Sequence, residues 1–314
     1  MYSNPKLAEY KAFLKGKTAS VIGVGISNIP LIDFLLENGV TVTARDKKDR
    51  EKLIANPRLD MQRLEKAGVR FITGENYLSD IKEQIVFKSP GVRFDKPEIL
   101  EAYRNGSLIT SEMEAFLSLC PAKIIAVTGS NGKTTSTTLV SEMLKNAGHT
   151  VWLGGNIGKP LLPDIEKIEP GHFAVLELSS FQLHTVNRFE NKGLPCAHIE
   201  FPDVGVLTNI SPNHLDWHTD MEEYAVAKRA IFTHMKPHGV FVTNRVSDDY
   251  VRRFAAEAEN EGYTVRTFSA HDGSTPHGGC VQSGNFTIDG KELFPLSEIR
   301  VPGLHNVENF MAAA

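Results

Sequence analysis

Cysteine is scarce in this chain. Cys120, Cys196 and Cys280 are odd in number and far apart among 314 residues. They make neither a disulfide framework nor a zinc spacing, which suits a reducing cytoplasm. Long apolar runs are missing too. None approaches the roughly 18 residues that span a bilayer, and Met1 to Lys17 lacks the apolar stretch of a secretion signal. No membrane association is expected. Neither sign of charge dominates: 34 Lys and Arg stand against 38 Asp and Glu, a net charge of -4. That balance argues against nucleic acid as the main partner, although it leaves room for a local basic groove. Internal repeats and low-complexity tracts are absent. What is present, 41% hydrophobic and 23% charged residues, is the composition of a globular protein, and the length suggests two or three domains.

The most informative stretch is Ala126-Val127-Thr128-Gly129-Ser130-Asn131-Gly132-Lys133-Thr134-Thr135. The apolar run Ile124 to Val127 before it reads as a buried strand, and Ser136 to Asn146 after it as a helix. Strand, glycine-bearing loop with Lys-Thr, then helix is the context that binds nucleotide phosphates. Loop N–H groups and the positive helix end would converge on the phosphates. Lys133 can reach the β- and γ-phosphates, the Thr134 hydroxyl can ligate Mg²⁺, and Gly129 and Gly132 permit close approach. The spacing is shorter than G-x-x-x-x-G-K-[ST], with Thr128 where the first glycine is expected.

Upstream, Ala19 to Asn28 is a strand running into a glycine turn. A helix over Pro30–Asn38 capped by Gly39 follows, then a strand Val40–Ala44 ending at Arg45-Asp46. This βαβ unit begins like a dinucleotide-binding fold, but Asn28 replaces the third glycine of G-x-G-x-x-G. It fits a Rossmann-like domain holding some phosphorylated ligand, with Asp46 at the distance for a ribose hydroxyl, or a glycine turn with no ligand at all. A helix over Pro57–Ala67, strands at 69–72 and 85–87, the turn Pro90-Gly91 and a helix over Pro97–Asn105 complete the domain, and a capped helix from Ser111 follows it. The boundary is placed after residue 110.

The second part continues with strands at 150–153, 173–178 and 204–210, a helix over Tyr224–Met235, strands at 239–243 and 263–268, and a helix over 247–260. Glu177 follows four apolar residues near a strand end, where a second metal-binding carboxylate belongs in a phosphate-loop enzyme; otherwise it escapes to solvent at a sheet edge. Asn213-His214-Leu215-Asp216-Trp217-His218 offers imidazoles and a carboxylate for metal, or ordinary surface groups. Read from the residues alone, Lys228 is a solvated lysine. Ala270 to Gly284 reads as an exposed loop, 286–294 as a hairpin with an Asp-Gly turn, and the last residues as the start of a helix. The fold expected is α/β, a Rossmann-like N-terminal domain followed by a phosphate-loop central domain with mostly parallel sheets.

Taken in order, the motifs Thr128-Gly-Ser-Asn-Gly-Lys-Thr-Thr135, Gly155-Asn-Ile-Gly158, Leu176-Glu-Leu-Ser-Ser-Phe-Gln-Leu183, Asn213-His-Leu-Asp216, Tyr224-Ala-Val-Ala-Lys228 and Gly303-Leu-His-Asn-Val-Glu-Asn309 cover most of the chain. Together they resemble the Mur ligases, ATP-dependent amide-forming enzymes of peptidoglycan precursor synthesis. The run after Glu177 looks like the members that add D-glutamate to UDP-N-acetylmuramoyl-L-alanine. The resemblance implies ATP and Mg²⁺ as cofactors, a cytoplasmic monomer, and a role for each matching residue. Gly129, Ser130, Asn131, Gly132, Lys133, Thr134 and Thr135 would hold the ATP phosphates, with Thr134 at the first Mg²⁺. Glu177 would ligate Mg²⁺ and His214 a second one. Lys228 matches a lysine that becomes carbamylated, which replaces the solvated reading. Asn156 would contact the substrate, and Asn306 and Asn309 the adenine. Gly25, Ile26, Ser27, Arg45, Asp46 and Gly91 fall where the uridine diphosphate is expected. Lys133, Glu177, His214 and Lys228 would be the catalytic set.

Two departures from the family pattern stand out. Trp217 occupies a place where relatives often have Arg, and the family's third domain, which binds the incoming amino acid, has no counterpart before the chain stops. The expectation is therefore a polypeptide that binds ligands with little or no ligase activity. Competing readings are a folylpolyglutamate synthetase-like ligase, a non-catalytic nucleotide-binding module, and a phosphate-loop kinase.

Overall fold

Strand and helix alternate through the first third of the chain because apolar runs four to six residues long are punctuated by glycine, asparagine and proline. In the computed structural model, which describes residues 2–195, 197–244, 246–271 and 277–314, the chain divides into two units. The first contains α1 Pro5–Leu14, β1 Thr18–Ile22, α2 Asn28–Glu37, β2 Thr41–Asp46, α3 Arg50–Ile54, α4 Met61–Lys66, β3 Arg70–Thr73, β4 Ile85–Lys88, α5 Pro97–Arg104, β5 Leu108–Thr110 and α6 Glu112–Leu119. Its sheet has the order β3-β2-β1-β4-β5, with every neighbouring pair parallel. The chain leaves β1 toward one edge and β4 toward the other. That makes a topological switch point at the carboxyl ends of β1 and β4, where open α/β sheets bind ligands.

Local chemistry explains most element ends. Asn4 caps α1 by accepting from the Leu7 N–H, with Pro5 at the first helical position. The helix expected over 57–67 is shorter: Asp60 accepts from the Arg63 N–H and starts α4 after Pro57 and its turn. Every residue of α6 is buried, Glu112 and Glu114 included. Burial pushes both carboxyls up to about 7, and pushes the Lys88 amine down to about 8 against the attraction of Glu114.

The first unit is not one continuous stretch. It runs from Met1 to Pro121 and takes in Lys159–Glu169 and Thr185–Ile199 as well. Helix α6 thus falls within it, although the boundary was expected after residue 110. From the second insertion, Asn191 serves the edge of β5: its amide donates to the Ile109 carbonyl at 2.8 Å and accepts from the Ile109 N–H at 3.0 Å. A side-chain amide here stands in for a neighbouring strand.

The second unit contains β6 Lys123–Thr128, α7 Lys133–Asn146, β7 Val151–Gly155, β8 Phe173–Glu177, α8 Ser180–Leu183, β9 Val204–Leu207, α9 Met221–Thr233, β10 Val240–Asn244, α10 Asp249–Asn260, β11 Thr264–Ser269, β12 Gly278–Gln282, β13 Asn285–Ile288, β14 Lys291–Pro295 and α11 Leu304–Ala313. Among the described residues its sheet has nine strands in the order β14-β13-β12-β11-β10-β9-β6-β8-β7, parallel from β7 to β12. Strand β6 lies between β8 and β9, so its loop receives side chains from both. The hairpin β13–β14 turns at Asp289 and Gly290, both with positive φ, as a two-residue turn requires.

One expectation is corrected. The stretch 270–284 is not simply an exposed loop, because β12 pairs with β11 and its Gly278, Gly279 and Cys280 are buried; residues 272–276 lie outside the described part. The glycines that suggested a loop serve close approach instead. A Cβ on Gly278 would lie 1.7 Å from the Thr267 carbonyl oxygen.

Candidate nucleotide-binding site

The loop from Gly129 to Gly132 is pinned to the end of β9. Ser130 donates its N–H to the Asn209 carbonyl at 2.9 Å, and Asn131 donates its N–H to Asn209 Oδ1 at 3.0 Å. Thr208 Oγ1 donates to the Asn131 carbonyl at 2.6 Å. Two of the loop amides expected to face phosphate are therefore engaged by the protein. The N–H groups of the first turn of α7 have no partner within the helix and can face an anion. The two loop glycines are also explained by protein atoms. A Cβ on Gly129 would sit 1.9 Å from Thr208 Oγ1, and one on Gly132, which caps α7 at φ +81°, would sit 2.2 Å from Asn309 Oδ1.

A compact polar cluster forms beside this loop. Glu177, buried at the end of β8, accepts from Thr134 Oγ1 at 2.6 Å and from Asn156 Nδ2 at 2.8 Å. The backbone is drawn in by the same motif: Asn156 donates its N–H to the Glu177 carbonyl, and a Cβ on Gly155 would lie 2.1 Å from that oxygen. Glu177 does not escape to solvent at a sheet edge.

Lys133 folds back on its own loop, donating to the carbonyls of Gly129 at 2.9 Å and Ser130 at 3.0 Å. Lys228, reaching in from α9, donates to the same Gly129 carbonyl at 2.8 Å and is only 1% exposed. The solvated lysine read from the residues alone is thus overturned. Its helix buries the stripe Tyr224, Ala227, Lys228 and Ile231. Burial, then repulsion by Lys133, holds the Lys228 amine well below the usual lysine range, with Glu177 opposing. Burial lowers Lys133 as well, again opposed by Glu177.

Other expected residues lie around this cluster or apart from it. Thr135 follows Thr134 in the first turn of α7. Asn309 packs beside Gly132 and donates to Asn306 Oδ1 at 3.3 Å, while Asn306 itself donates to the Pro302 carbonyl. A cleft of about 380 Å³ opens there, lined by Asn131, Gly132, Thr208, Asn209, Phe268, His305, Glu308 and Asn309. Asn306 is not among its walls. His214 is exposed at positive φ, its ring 4.8 Å from that of Phe181. The structure does not bring it into the hydrogen-bonded cluster of Thr134, Glu177 and Asn156.

In the first unit, Gly25, Ile26 and Ser27 form the turn between β1 and α2, and Gly91 lies in the turn after β4. Ile26 is 59% exposed. Arg45 and Asp46 are occupied differently from expectation. The Arg45 guanidinium is buried and donates to the carbonyls of Tyr77, Ser79 and Asp80 and to the Glu83 carboxylate. Asp46 accepts the N–H groups of Val24 at 2.7 Å and Lys48 at 2.8 Å. Both side chains shape the ends of the strands. Asn28, at the place of the third glycine, donates to the carbonyls of Ile22 and Gly23 and so fixes the same turn.

Two family models match the chain: the Mur ligase middle domain over residues 127–314, and the Mur ligase MurD-like N-terminal domain over residues 17–111. The chain belongs to the Mur ligase family. UDP-N-acetylmuramoylalanine–D-glutamate ligase of Clostridium botulinum (strain Langeland) is 43% identical over 98% of this chain and 62% of its own length. The Clostridium kluyveri protein of that name is 44% identical over 97% and 62%. This Mur ligase chain thus spans somewhat under two thirds of these relatives. Among solved structures, the UDP-N-acetylmuramate:L-alanyl-γ-D-glutamyl-meso-diaminopimelate ligase of Neisseria meningitides aligns with a TM-score of 0.57 at 18% identity, covering 95% of this chain and 91% of that one. UDP-N-acetylmuramate–alanine ligase from Thermotoga maritima aligns at 0.51 and 20%, covering 95% and 64%. At those identities the likeness speaks to the fold.

The donor set at the Mur ligase loop suits Mg²⁺. Thr134 and Glu177 offer hard oxygen atoms, which that ion prefers over nitrogen or sulfur. Sequence reasoning missed several groups nearby. Ser130 Oγ shares a hydrogen bond with the Tyr224 hydroxyl at 2.8 Å and accepts from the Ser211 N–H. Tyr224 also presents its ring to Lys228, with Nζ 4.7 Å from the centroid. The available signal was the spacing, since Tyr224 and Lys228 are four apart on one helix face.

Proposed function

We propose that this chain serves the D-glutamate-adding step of peptidoglycan precursor synthesis, with UDP-N-acetylmuramoyl-L-alanine, ATP and D-glutamate as substrates. The observation that carries this reading is the 43% identity over 98% of the chain to ligases of that name, together with the polar cluster around Glu177. On this reading the first unit takes the uridine diphosphate at the carboxyl ends of β1 and β4, through the turns at Gly25, Ile26, Ser27 and Gly91. The second unit takes ATP, with the adenine in the cleft beside Asn309. The protein acts as a cytoplasmic monomer, where ATP and the nucleotide precursor are available. Among the described residues no helix is long and apolar enough to cross a membrane.

Charge dictates the division of labour. A substrate carboxylate must approach the γ-phosphoryl group of ATP, an anion onto a polyanion, to form an acyl phosphate. The amine of D-glutamate then attacks the activated carbonyl, and phosphate leaves. Lys133 exchanges its loop carbonyls for the phosphates and neutralises part of the developing charge. Mg²⁺, when bound, supplies further neutralisation; Thr134 and Glu177 would hold it, His214 a second ion, and Asn156 keeps the Glu177 carboxylate oriented. Lys228 is assigned as the carbamylated lysine. Only a neutral amine attacks CO₂, forming an N–C bond and releasing one proton, and burial favours that neutral amine.

Thermal shift and calorimetry on the 314-residue chain test the reading. UDP-N-acetylmuramoyl-L-alanine and Mg-ATP should each stabilise it, and a folate should not. In Glu177→Gln the Mg-ATP effect should fall about tenfold or more in affinity while the UDP-substrate effect stays. Binding of folate, or no response to the UDP substrate, overturns the assignment.

A further inference from the structure

We infer that His184, His218 and Glu223 form a separate site for a divalent transition cation of the Zn²⁺ class. One ligand atom from each of the three lies within 4.8 Å of the others. His184 Nε2 is 3.2 Å from Glu223 Oε1, and His218 Nδ1 is 3.6 Å from Glu223 Oε2. Tetrahedral coordination with bonds of about 2.0–2.1 Å places neighbouring donors roughly 3.3 Å apart. Each imidazole stands at about that distance from its own oxygen of the one Glu223 carboxylate. The imidazoles are held edge to face, their planes at 90° and centroids 5.5 Å apart. Imidazole nitrogen with one carboxylate suits zinc, cobalt or nickel better than magnesium, which separates this set from the hard-oxygen donors at Thr134 and Glu177.

The surroundings are those of a built site. His218 Nε2 lies 2.9 Å from Ser180 Oγ, so the serine holds the ring with its Nδ1 edge toward Glu223. Glu223 Oε2 also accepts the Thr219 N–H at 2.7 Å, which fixes the carboxylate. Phe181 stacks on His218 and Trp217 meets it edge to face, with centroids at 5.7 and 4.7 Å. Both imidazoles are almost wholly enclosed, whereas the Glu223 side chain keeps 21% of its surface exposed and offers a way in. The site also has a position of consequence. His184 directly follows α8, which begins three residues after Glu177, and Glu223 lies on α9 five residues before Lys228. An ion here ties the end of α8, the helix that follows the strand carrying Glu177, to α9, which carries Lys228.

Titration of the metal-free 314-residue chain with Co²⁺ in saturating Mg²⁺ tests this, followed by the d–d absorption of cobalt and by competition with Zn²⁺. One equivalent should bind and give the intense visible band of four-coordinate cobalt. His184→Gln and His218→Gln should each weaken binding at least about 100-fold, and Ser180→Ala about 10–100-fold. His214→Ala should leave the band unchanged. Zn²⁺ should raise the melting midpoint of the wild type and of His214→Ala only. Glu223→Gln, nearly isosteric, gives a second reading where a histidine variant does not fold by circular dichroism. The inference is overturned by a folded wild type that binds no cobalt saturably, by a band that survives His184→Gln or Glu223→Gln, or by a band lost in His214→Ala.

Discussion

Replacing Lys228 by methionine should make the protein more stable while removing its capacity for carbamylation. The side chain is 1% exposed and donates to a carbonyl that Lys133 also serves. Methionine fills the same space without a charge. The loss is one hydrogen bond, about 1 kcal/mol, and the Gly129 oxygen is not orphaned because Lys133 remains 2.9 Å away. The gain is relief from burying an amine whose charged form is disfavoured by desolvation and by Lys133, for which replacement by an apolar side chain of similar volume brings up to about 4 kcal/mol. A net stabilisation of about 1–3 kcal/mol at pH 7 corresponds to about 3–10 °C in melting midpoint for a unit of this size. The sign with pH is fixed. Because the folded pKa of Lys228 lies below its unfolded value of 10.5, the unfolded chain holds the extra proton between the two. Wild-type stability therefore rises through that window, and the advantage of Lys228→Met shrinks toward zero as pH approaches 10.5. Thermal and urea unfolding of both proteins from pH 6 to 10 in carbonate-free buffer measures this. A variant less stable at pH 7, or an advantage that grows with pH, refutes the reasoning.

Three further outcomes follow from particular contacts. Glu112, raised to about 7 by burial, holds an extra proton in the folded state between pH 4.5 and about 7, so stability falls across that range. Glu112→Gln should flatten that slope and add up to about 3 kcal/mol above pH 7 in denaturant titrations. Gly132→Ala forces a side chain into φ +81° against Asn309, and should cost about 1–3 kcal/mol and lower nucleotide affinity by calorimetry. Arg45→Met strips Glu83 of a partner in an ion pair only 2% and 11% exposed and leaves three carbonyls unserved. A loss of about 3–5 kcal/mol is expected by hydrogen exchange of β2 and β3.

Most parallel strands were legible because they are short apolar runs closed by glycine or a turn pair, and the phosphate loop because strand, loop and helix are contiguous. Glu177 could be placed for the same reason: four apolar residues fix its depth at the end of β8. Lys228 could not. Helical periodicity puts it on the buried stripe with Tyr224 and Ile231, but a lysine on an amphipathic helix ordinarily reaches water, and only the resemblance to Mur ligases reversed that reading. Arg45 misled in the other direction. Its place at a strand end suggested a ligand, whereas the loop that consumes its guanidinium lies more than thirty positions away in sequence. Strand β12 was hidden because glycines required for close packing look the same in sequence as glycines that make a loop.

The two insertions into the first unit constrain how the protein is made. Synthesis past Pro121 does not complete that unit, because Asn191 and its neighbours must still arrive to cover the edge of β5. At about 5–20 residues per second, the nascent sheet waits roughly 4–16 s with that edge bare while the strands of the other unit emerge. The wait is thus a hazard to the first unit, and slowing the ribosome between codons 121 and 199 should lower soluble yield before it alters any property of the finished protein.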